Sequence, residues 1–233
     1  PGTGKTTVTG ELIARLVDKG KRVAVSSQTH EAINNLLKRV QKKAESIATN
    51  PFVVKLSSGT SETSDQRSLS GTKVQALREN ALNCEPNVLG ATVFGLVKER
   101  FGEEPYDLLV VDEAGQVSLS NLLYMSHCAR NILLVGDQNQ LSQPNRAKHP
   151  GDSGLSCLEY VMGKEKVVPS DRGVFLATSW RMPPALTSVV SDLFYQGALQ
   201  SCISKSENKV LWEGSQQGLS FEPVEHSSNS SES

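Results

Sequence analysis

Leu108-Leu109-Val110-Val111-Asp112-Glu113-Ala114-Gly115-Gln116 decides how this chain is read. Four apolar residues without interruption predict a short strand buried on both faces, as in a parallel sheet covered by helices. Such a strand can carry charge only at its ends. The acidic pair therefore falls at the C-terminal edge of the sheet, where ligands of open α/β sheets bind. There Asp112 is suited to hold a magnesium ion, and Glu113 to polarise a water for attack on a γ-phosphate.

About a hundred residues upstream the chain opens Pro1-Gly2-Thr3-Gly4-Lys5-Thr6-Thr7. This fits the phosphate loop G-x-x-x-x-G-K-[ST] except for its leading glycine, which would lie two positions before Pro1. Gly2 and Gly4, with Thr3 between them, let successive N–H groups turn inward on phosphates. Lys5 reaches the β- and γ-phosphates, the Thr6 hydroxyl ligates magnesium, and Thr7 closes the cradle. Val8, Leu12, Ile13, Leu16 and Val17 recur at helical spacing and Gly20 reads as the C-cap, so the loop opens a helix whose N-terminus also favours phosphate. Taken alone, the loop also fits a glycine-rich turn before an ordinary helix; the acidic pair makes the difference. A phosphate loop at residue 1 lacks the strand that feeds it, so the chain is expected to be a fragment whose sheet has a gap in its core.

The 233 residues are 37% hydrophobic and carry a net charge of -1, which fits a globular domain of intracellular type, expected in the cytoplasm and with no membrane partner. Residues 1 to 50 hold nine Lys or Arg against four Asp or Glu, a local charge of +5 that leaves -6 for the remainder. That bias suits phosphate contact but is too small for a dedicated nucleic-acid clamp; solvated helix faces at Lys38, Arg39, Lys42 and Lys43 explain it equally well. Cys84, Cys128, Cys157 and Cys202 form no C-x-x-C pair and read as reduced packing thiols, with His127 a helix surface residue rather than half of a metal site.

Apolar runs alternate with helical stretches, the pattern of a parallel sheet. Candidate strands are 22–26, 52–56, 88–93, 108–111, 132–135 and 174–177. Residues 57–71 shift to Ser, Thr, Gly and charge and predict an exposed excursion, with a helix over 73–83 returning from it. The tail from Glu213 reads as loop or linker.

Three further clusters bear on function. In Val135-Gly136-Asp137-Gln138-Asn139-Gln140-Leu141 a strand ends on polar residues, and Gln140 is placed to sense a γ-phosphate, although a plain polar turn has the same composition. In Ser179-Trp180-Arg181-Met182-Pro183-Pro184 two prolines stiffen a loop that can present the Arg181 guanidinium to phosphate; a surface arginine before a proline-started helix is the simpler alternative. Ser26-Ser27-Gln28-Thr29-His30 runs into a helix with Ile33, Leu36, Leu37 and Val40. Ser27, Thr29 and His30 are suited to hold a nucleic-acid backbone without reading sequence, with Thr92 as a second contact; N-capping by Thr29 is compatible with this.

In order, these stretches resemble superfamily 1 helicases of the branch whose best-known member acts in nonsense-mediated mRNA decay: PGTGKT as motif I, SSQTHEAINNLL as Ia, DEAGQ as II, GDQNQLSQP as III and WRMPP as IV. The stretches LVGDQNQLSQP, HPGDSGLSCLEYVMG, PSDRGVFLATSWRMPP and LFYQGAL look like bacterial proteins that fuse a RecB-like nuclease to such a helicase. The resemblance implies an α/β fold, a P-loop NTPase RecA-like parallel sheet flanked by helices and lacking the strand before the phosphate loop. Residues 1–225 would be the first RecA-like domain, with 57–83 a surface excursion, and 226–233 a hinge toward a second. It further implies that Lys5, Thr6, Asp112, Glu113, Gln140 and Arg181, with Gln116 alongside, form half of an interdomain site for ATP and Mg2+. Ser142-Gln143 replaces the double proline commoner after motif III, and Pro183 replaces the His of many relatives; neither change removes a catalytic group.

The expected activity is an ATP-dependent helicase moving 5′ to 3′ on single-stranded nucleic acid, with DNA favoured over RNA by the nuclease-fusion resemblance. The partners implied are a second RecA-like domain of the same chain and a fused nuclease domain. The isolated fragment is expected to be inactive. Two alternatives stand beside it: a nucleic-acid-stimulated ATPase that remodels complexes without unwinding, and a nucleotide-gated binding module without turnover. Glu113 argues against the last, because a binder needs no water-activating carboxylate.

Overall fold

The computed structural model describes residues 2–57, 61–78, 85–98, 104–140 and 150–202. The chain forms two compact units, Gly4–Phe175 and a smaller one of Pro1–Thr3 with Leu176–Ser233.

In the larger unit the chain runs α1 (Lys5–Asp18), β1 (Val23–Ser26), α2 (His30–Ser46), β2 (Val53–Ser57), α3 (Ser61–Ser68), β3 (Gln75–Arg78), β4 (Val88–Gly90), α4 (Val93–Lys98), β5 (Leu108–Asp112), α5 (Leu119–Ser126), β6 (Ile132–Val135) and α6 (Cys157–Met162). The six strands make one sheet in the order β3-β2-β4-β1-β5-β6, with every pairing parallel. Parallel strands need crossovers, and the helices supply them on both faces, which is why the strands read as continuous apolar runs rather than alternating ones. Alternate residues feed two cores. Val23, Val25, Val53, Val88 and Val110 meet Ile13 and Val17 of α1 and Ile33, Leu36, Leu37 and Val40 of α2. Ala24, Val54, Leu89, Leu109 and Val111 meet Leu96, Leu122, Met125, Leu158 and Met162.

Four of the six predicted strands are present within one residue at each end, 132–135 matches at both ends, and a fifth is present but shorter. The run 88–93 stops at Gly90, because Thr92 caps a new helix: Gly95 N donates to Thr92 Oγ1 at 3.4 Å and Leu96 N to Thr92 O at 3.0 Å. Three expectations are corrected. The described strands form a sheet without a gap in its core, since β1 pairs directly with both β4 and β5. The span 73–83 is not a helix in its described part; Gln75–Arg78 pair in parallel with Val54–Ser57 as an added edge strand. Nor is 57–71 wholly an exposed excursion, since α3 lies within it and Asp65 and Leu69 are buried. In these last two places an open strand edge and a buried polar cluster outweigh local composition. Residues 58–60 and 79–84 lie outside the described set.

At the other side of the sheet, β6 is the edge. Its Ile132 is exposed and Leu133, Leu134 and Val135 are half-buried, although the run is as apolar as β5. The sixth predicted strand, 174–177, has no strand structure, and Val174 is exposed; pairing begins only at β7 (Thr178–Ser179). In the smaller unit β7 pairs with β8 (Gln200–Ser201) beside α7 (Pro184–Phe194). Among the described residues no helix is long and apolar enough to cross a membrane.

Helix α2 sits so close to β4 that a Cβ at Gly90 would meet Leu37 Cδ1 at 2.6 Å and Ile33 Cγ2 at 2.9 Å. Both neighbours are fully buried and cannot swing away. Gly90→Ala is therefore expected to destabilise the domain by about 1–3 kcal/mol through overpacking, seen as a lower midpoint in denaturant unfolding; an unchanged midpoint would contradict this packing.

Candidate active site

Burial sets the chemistry at the end of β5. Asp112 is 5% exposed. Among the described residues, the hydrogen bond it receives comes from Glu113 N to Oδ1, at 3.0 Å. Burial pushes its carboxyl up from the ordinary 3.8 to about 6; the Glu113 N–H lowers it, the Glu113 charge raises it and the Lys5 ammonium lowers it.

Glu113 is left-handed, with φ 56° and ψ 41°, and leads a 3-10 turn over Ala114–Gln116 in which Gln116 N donates to Glu113 O at 2.8 Å. A non-glycine residue in this region costs on the order of 1–3 kcal/mol and tends to occur where function needs it. Here the turn separates two adjacent carboxylates into different environments. Asp112 stays buried beneath the sheet edge, and Glu113 is exposed to solvent. Gln116 is half-buried on the same turn.

The phosphate loop enters α1 through Gly4, whose φ of 83° is left-handed; Thr7 N and Val8 N donate to Gly4 O at 2.9 and 3.0 Å, so helix begins at Lys5. Lys5, Thr6 and Thr7 are half-buried in the first turn, where helix N–H groups lack partners of their own and favour phosphate.

The turn after β6 packs directly on the turn after β5. A Cβ at Gly136 would stand 3.0 Å from Ala114 N and 3.1 Å from Gly115 N, and one at Gly115 would stand 3.0 Å from Asp137 O. The backbone contact is tight for a side chain at either glycine. Gln140 lies on this turn and its side chain donates to Asp137 Oδ2 at 2.9 Å. Gln138 ties the same turn to Lys166 O at 2.7 Å.

In the smaller unit Arg181 is exposed on a tightly braced turn. Met182 N donates to the buried Ser179 Oγ at 3.3 Å, and Met182 O accepts from Thr187 Oγ1 at 3.2 Å and Ser201 Oγ at 2.7 Å. Pro183 then caps α7 and Pro184 occupies its first turn, which is the proline-started helix of the simpler alternative. Gly2, the first described residue of the phosphate loop, accepts from Trp180 N at 2.9 Å, and a Cβ there would stand 2.4 Å from Arg181 Cβ. Arg181 and Gly2 are thus in contact. Thr3 is half-buried beside them in sequence.

The residues expected to hold nucleic acid gather at the C-terminal ends of β1 and β4. These strands pair through Val25 and Gly90, and Ser27 and Thr92 each lie two residues further on. Thr29 caps α2, its Oγ1 accepting from Ala32 N at 3.2 Å. His30 opens that helix, and its ring meets two groups the sequence reading overlooked, Asp65 and Lys55. A lysine inside the otherwise apolar run Phe52–Leu56 was the available signal. The thiols of Cys128 and Cys157 are buried and free, pushed up by burial to about 12 and about 11, and are packing groups as expected. Cys84 lies outside the described residues.

Residues 1–150 match the family described as AAA domain. The chain belongs to the AAA domain family. Among known proteins it is 27% identical over 213 residues to the DNA replication ATP-dependent helicase/nuclease DNA2 of Xenopus laevis, covering 91% of this chain and 20% of that protein. It is 28% identical over 218 residues to the human protein of the same name, and 23% identical over 241 residues to Regulator of nonsense transcripts 1 of Caenorhabditis elegans. The chain spans about a fifth of the length of these relatives. Among solved structures, an Arterivirus nonstructural protein 10 (helicase) with DNA superposes with a TM-score of 0.50 at 14% identity, over 87% of this chain and 39% of that one. The AAA domain chain is thus a RecA-like domain of the superfamily 1 helicase kind, as its ordered motifs implied.

Because the folded Asp112 titrates above its ordinary value, the folded domain keeps a proton that the unfolded chain loses between about pH 4 and 6. Stability from this group therefore falls as pH rises through that window and stays lower above it. At about 1.4 kcal/mol per tenfold change in proton affinity, ionising Asp112 at neutral pH costs about 3 kcal/mol. Asp112→Asn is expected to raise the thermal unfolding temperature at pH 7–8 without nucleotide or metal, and to lose that advantage near pH 4. A constant difference across this range would show that Asp112 is not the group under strain.

Proposed function

We propose that the complete protein is an ATP-dependent helicase that moves 5′ to 3′ on single-stranded DNA, and that this chain supplies one half of its ATP site. The observation that carries this reading is Asp112, a carboxylate buried at a strand end, held among the described residues by one backbone donor and raised by burial. A structural carboxylate so placed would be surrounded by donors; one short of positive charge suits a divalent cation. The donor set fits magnesium, with the Asp112 carboxylate and the Thr6 hydroxyl as hard oxygen ligands. Magnesium, when bound with the nucleotide, neutralises charge on the β- and γ-phosphate oxygens.

The chain's own residues take the remaining roles. Gly2, Thr3, Gly4 and Thr7 cradle the phosphates with backbone N–H groups, and Lys5 adds its ammonium. Glu113 orients and deprotonates the attacking water, since its left-handed backbone holds it outside the buried edge that keeps Asp112. Gln140 leaves Asp137 to sense the γ-phosphate and Gln116 lies alongside. Arg181, braced beside Gly2, stabilises the leaving phosphoryl group. A second RecA-like domain of the same protein closes the site. Ser27, Thr29, His30 and Thr92 hold the nucleic-acid backbone. The names of the DNA2 relatives support DNA as the strand and a fused nuclease as a further domain of the complete protein. We place its work in the cytoplasm.

ATP hydrolysis with and without single-stranded DNA, together with displacement of a strand from 5′-tailed duplex DNA, tests the proposal in the complete protein. DNA-stimulated turnover without displacement would replace the helicase by a remodelling ATPase. Lys5→Ala is expected to abolish turnover, because no other side chain of the loop is cationic. Glu113→Gln is expected to keep Mg-ATP binding within a few-fold and lose hydrolysis; loss of binding in the folded variant would mean that the wrong carboxylate has been assigned.

Arg181→Ala is expected to reduce single-turnover hydrolysis by roughly 10³-fold or more with a much smaller change in ATP affinity. Arg181→Lys stays strongly impaired, because lysine keeps the charge and loses the planar fork. Hydrolysis within a few-fold of wild type in both variants would make Arg181 an ordinary surface residue.

A further inference from the structure

Lys55 is the largest fully buried side chain described, set in β2 among valines and leucines. It faces Asp65 of α3, itself 1% exposed, with Nζ 3.4 Å from Oδ2. Asp65 Oδ2 also accepts from Ser57 Oγ at 2.6 Å, and Oδ1 accepts from Asn34 Nδ2 at 2.9 Å. A buried ion pair gains little over apolar packing of the same volume, so its place in a core strand calls for another reason.

That reason is the third member of the cluster. His30 Nδ1 lies 3.1 Å from Lys55 Nζ and 3.2 Å from Asp65 Oδ2. An ammonium only donates, so the lysine contact requires the Nδ1 lone pair, and the ring proton then sits on Nε2. A proton on Nδ1 would point at the ammonium instead. An ionised carboxylate can accept about four hydrogen bonds and Asp65 receives three from Ser57, Asn34 and Lys55, so it is the lysine contact that selects the Nε2–H form. The ring remains about one-third exposed while its partners are buried. A second observation marks the same segment: among the described residues, the buried side-chain polar atoms without a hydrogen-bond partner are Ser26 Oγ, Ser27 Oγ and Asn34 Oδ1, all on residues 26–34. Buried native groups are usually satisfied, and unsatisfied ones on the segment that carries His30 suit a polar ligand.

We propose that Lys55 and Asp65 are positioning residues for His30, fixing its ring so that Nε2–H is offered at the start of α2 to the backbone phosphate of a single-stranded nucleic acid. This rests on the nucleic-acid role of His30 given above, and the test separates the two. The complete protein is assayed for ATP hydrolysis against oligodeoxythymidylate, reading the DNA concentration at half-maximal stimulation and the turnover at saturation. His30→Ala is expected to raise the half-maximal concentration by about tenfold, the worth of one good hydrogen bond. Asp65→Asn is expected to raise it about three- to tenfold, with turnover at saturation and hydrolysis without DNA within twofold of wild type. Ser57→Ala, which removes only the shortest bond to Asp65, is expected to raise it two- to threefold and covers the case in which Asp65→Asn does not fold. The double variant His30→Ala/Asp65→Asn should be no worse than His30→Ala, because a positioning residue has nothing left to position. Additive effects, or a normal half-maximal concentration in folded Asp65→Asn and Ser57→Ala while His30→Ala is impaired, would overturn the positioning role. A normal half-maximal concentration in His30→Ala would instead overturn the nucleic-acid role of His30 and the proposal with it.

Discussion

The burial of a parallel sheet on both faces is the constraint from which the rest of this structure follows. Helices α1 and α2 cover one face of β1 and β5 while α4, α5 and α6 cover the other, so no side chain in the middle of those strands meets water. In β1 and β5 polar groups are pushed to the strand ends, and the C-terminal ends of the sheet collect Ser26, Ser57, Asp112 and the turn after Val135 along one edge. The same constraint gives Asp112 its character. A carboxylate one residue further along would be solvated, as Glu113 is, whereas one at the last residue of β5 bears the desolvation of the sheet itself.

The two turns at that edge are built as a pair. Gly115 and Gly136 each present bare backbone to the other's turn, at separations a Cβ would fill. With Gln138 anchoring the second turn to Lys166 O, a displacement of the turn bearing Gln140 must move the turn bearing Glu113 or open the contact between them. Close-packed backbone is stiff, so this contact is a direct mechanical connection between the acidic pair and the polar turn after β6. It requires no intervening side chain.

Much of this was legible in the sequence because the determinants are local. Continuous apolar runs marked β1, β2, β5 and β6, Thr29 marked the start of α2, and Pro183-Pro184 marked that of α7. What escaped was set by partners distant in the chain. Gln75–Arg78 form a strand because the edge of β2 is there to pair with, whereas their composition suits a helix. Asp65 is buried because Lys55, Asn34 and Ser57 surround it, although its neighbours in sequence are Ser, Thr and Gln. The run 174–177 shows the reverse: apolar residues with every local mark of a strand, but no strand forms there, although Ala177 O at its end accepts from Gln200 N at 2.7 Å. The left-handed turn at Glu113 has no sequence signal, since glycine or asparagine would be the residue to expect there.

Asp65 and Asp112 show how one sheet edge handles buried charge in two opposite ways. Both are nearly inaccessible, and in both burial is the largest influence and raises the carboxyl. Asp65 nevertheless ends below its ordinary range, because Ser57 and Asn34 donate to it and the Lys55 ammonium stands beside it. Asp112 ends above, at about 6, because one backbone N–H and the more distant Lys5 do not offset burial and the neighbouring Glu113. A group whose partners are all supplied by the fold is finished: it can orient a neighbour but gains little from a ligand. A group left short by the fold is bound most strongly by whatever supplies the missing charge, and the energy of burying it becomes selectivity for a cation. The same edge therefore separates a place where the chain binds from a place where the chain positions, and the separation lies in the number of donors each carboxylate is given.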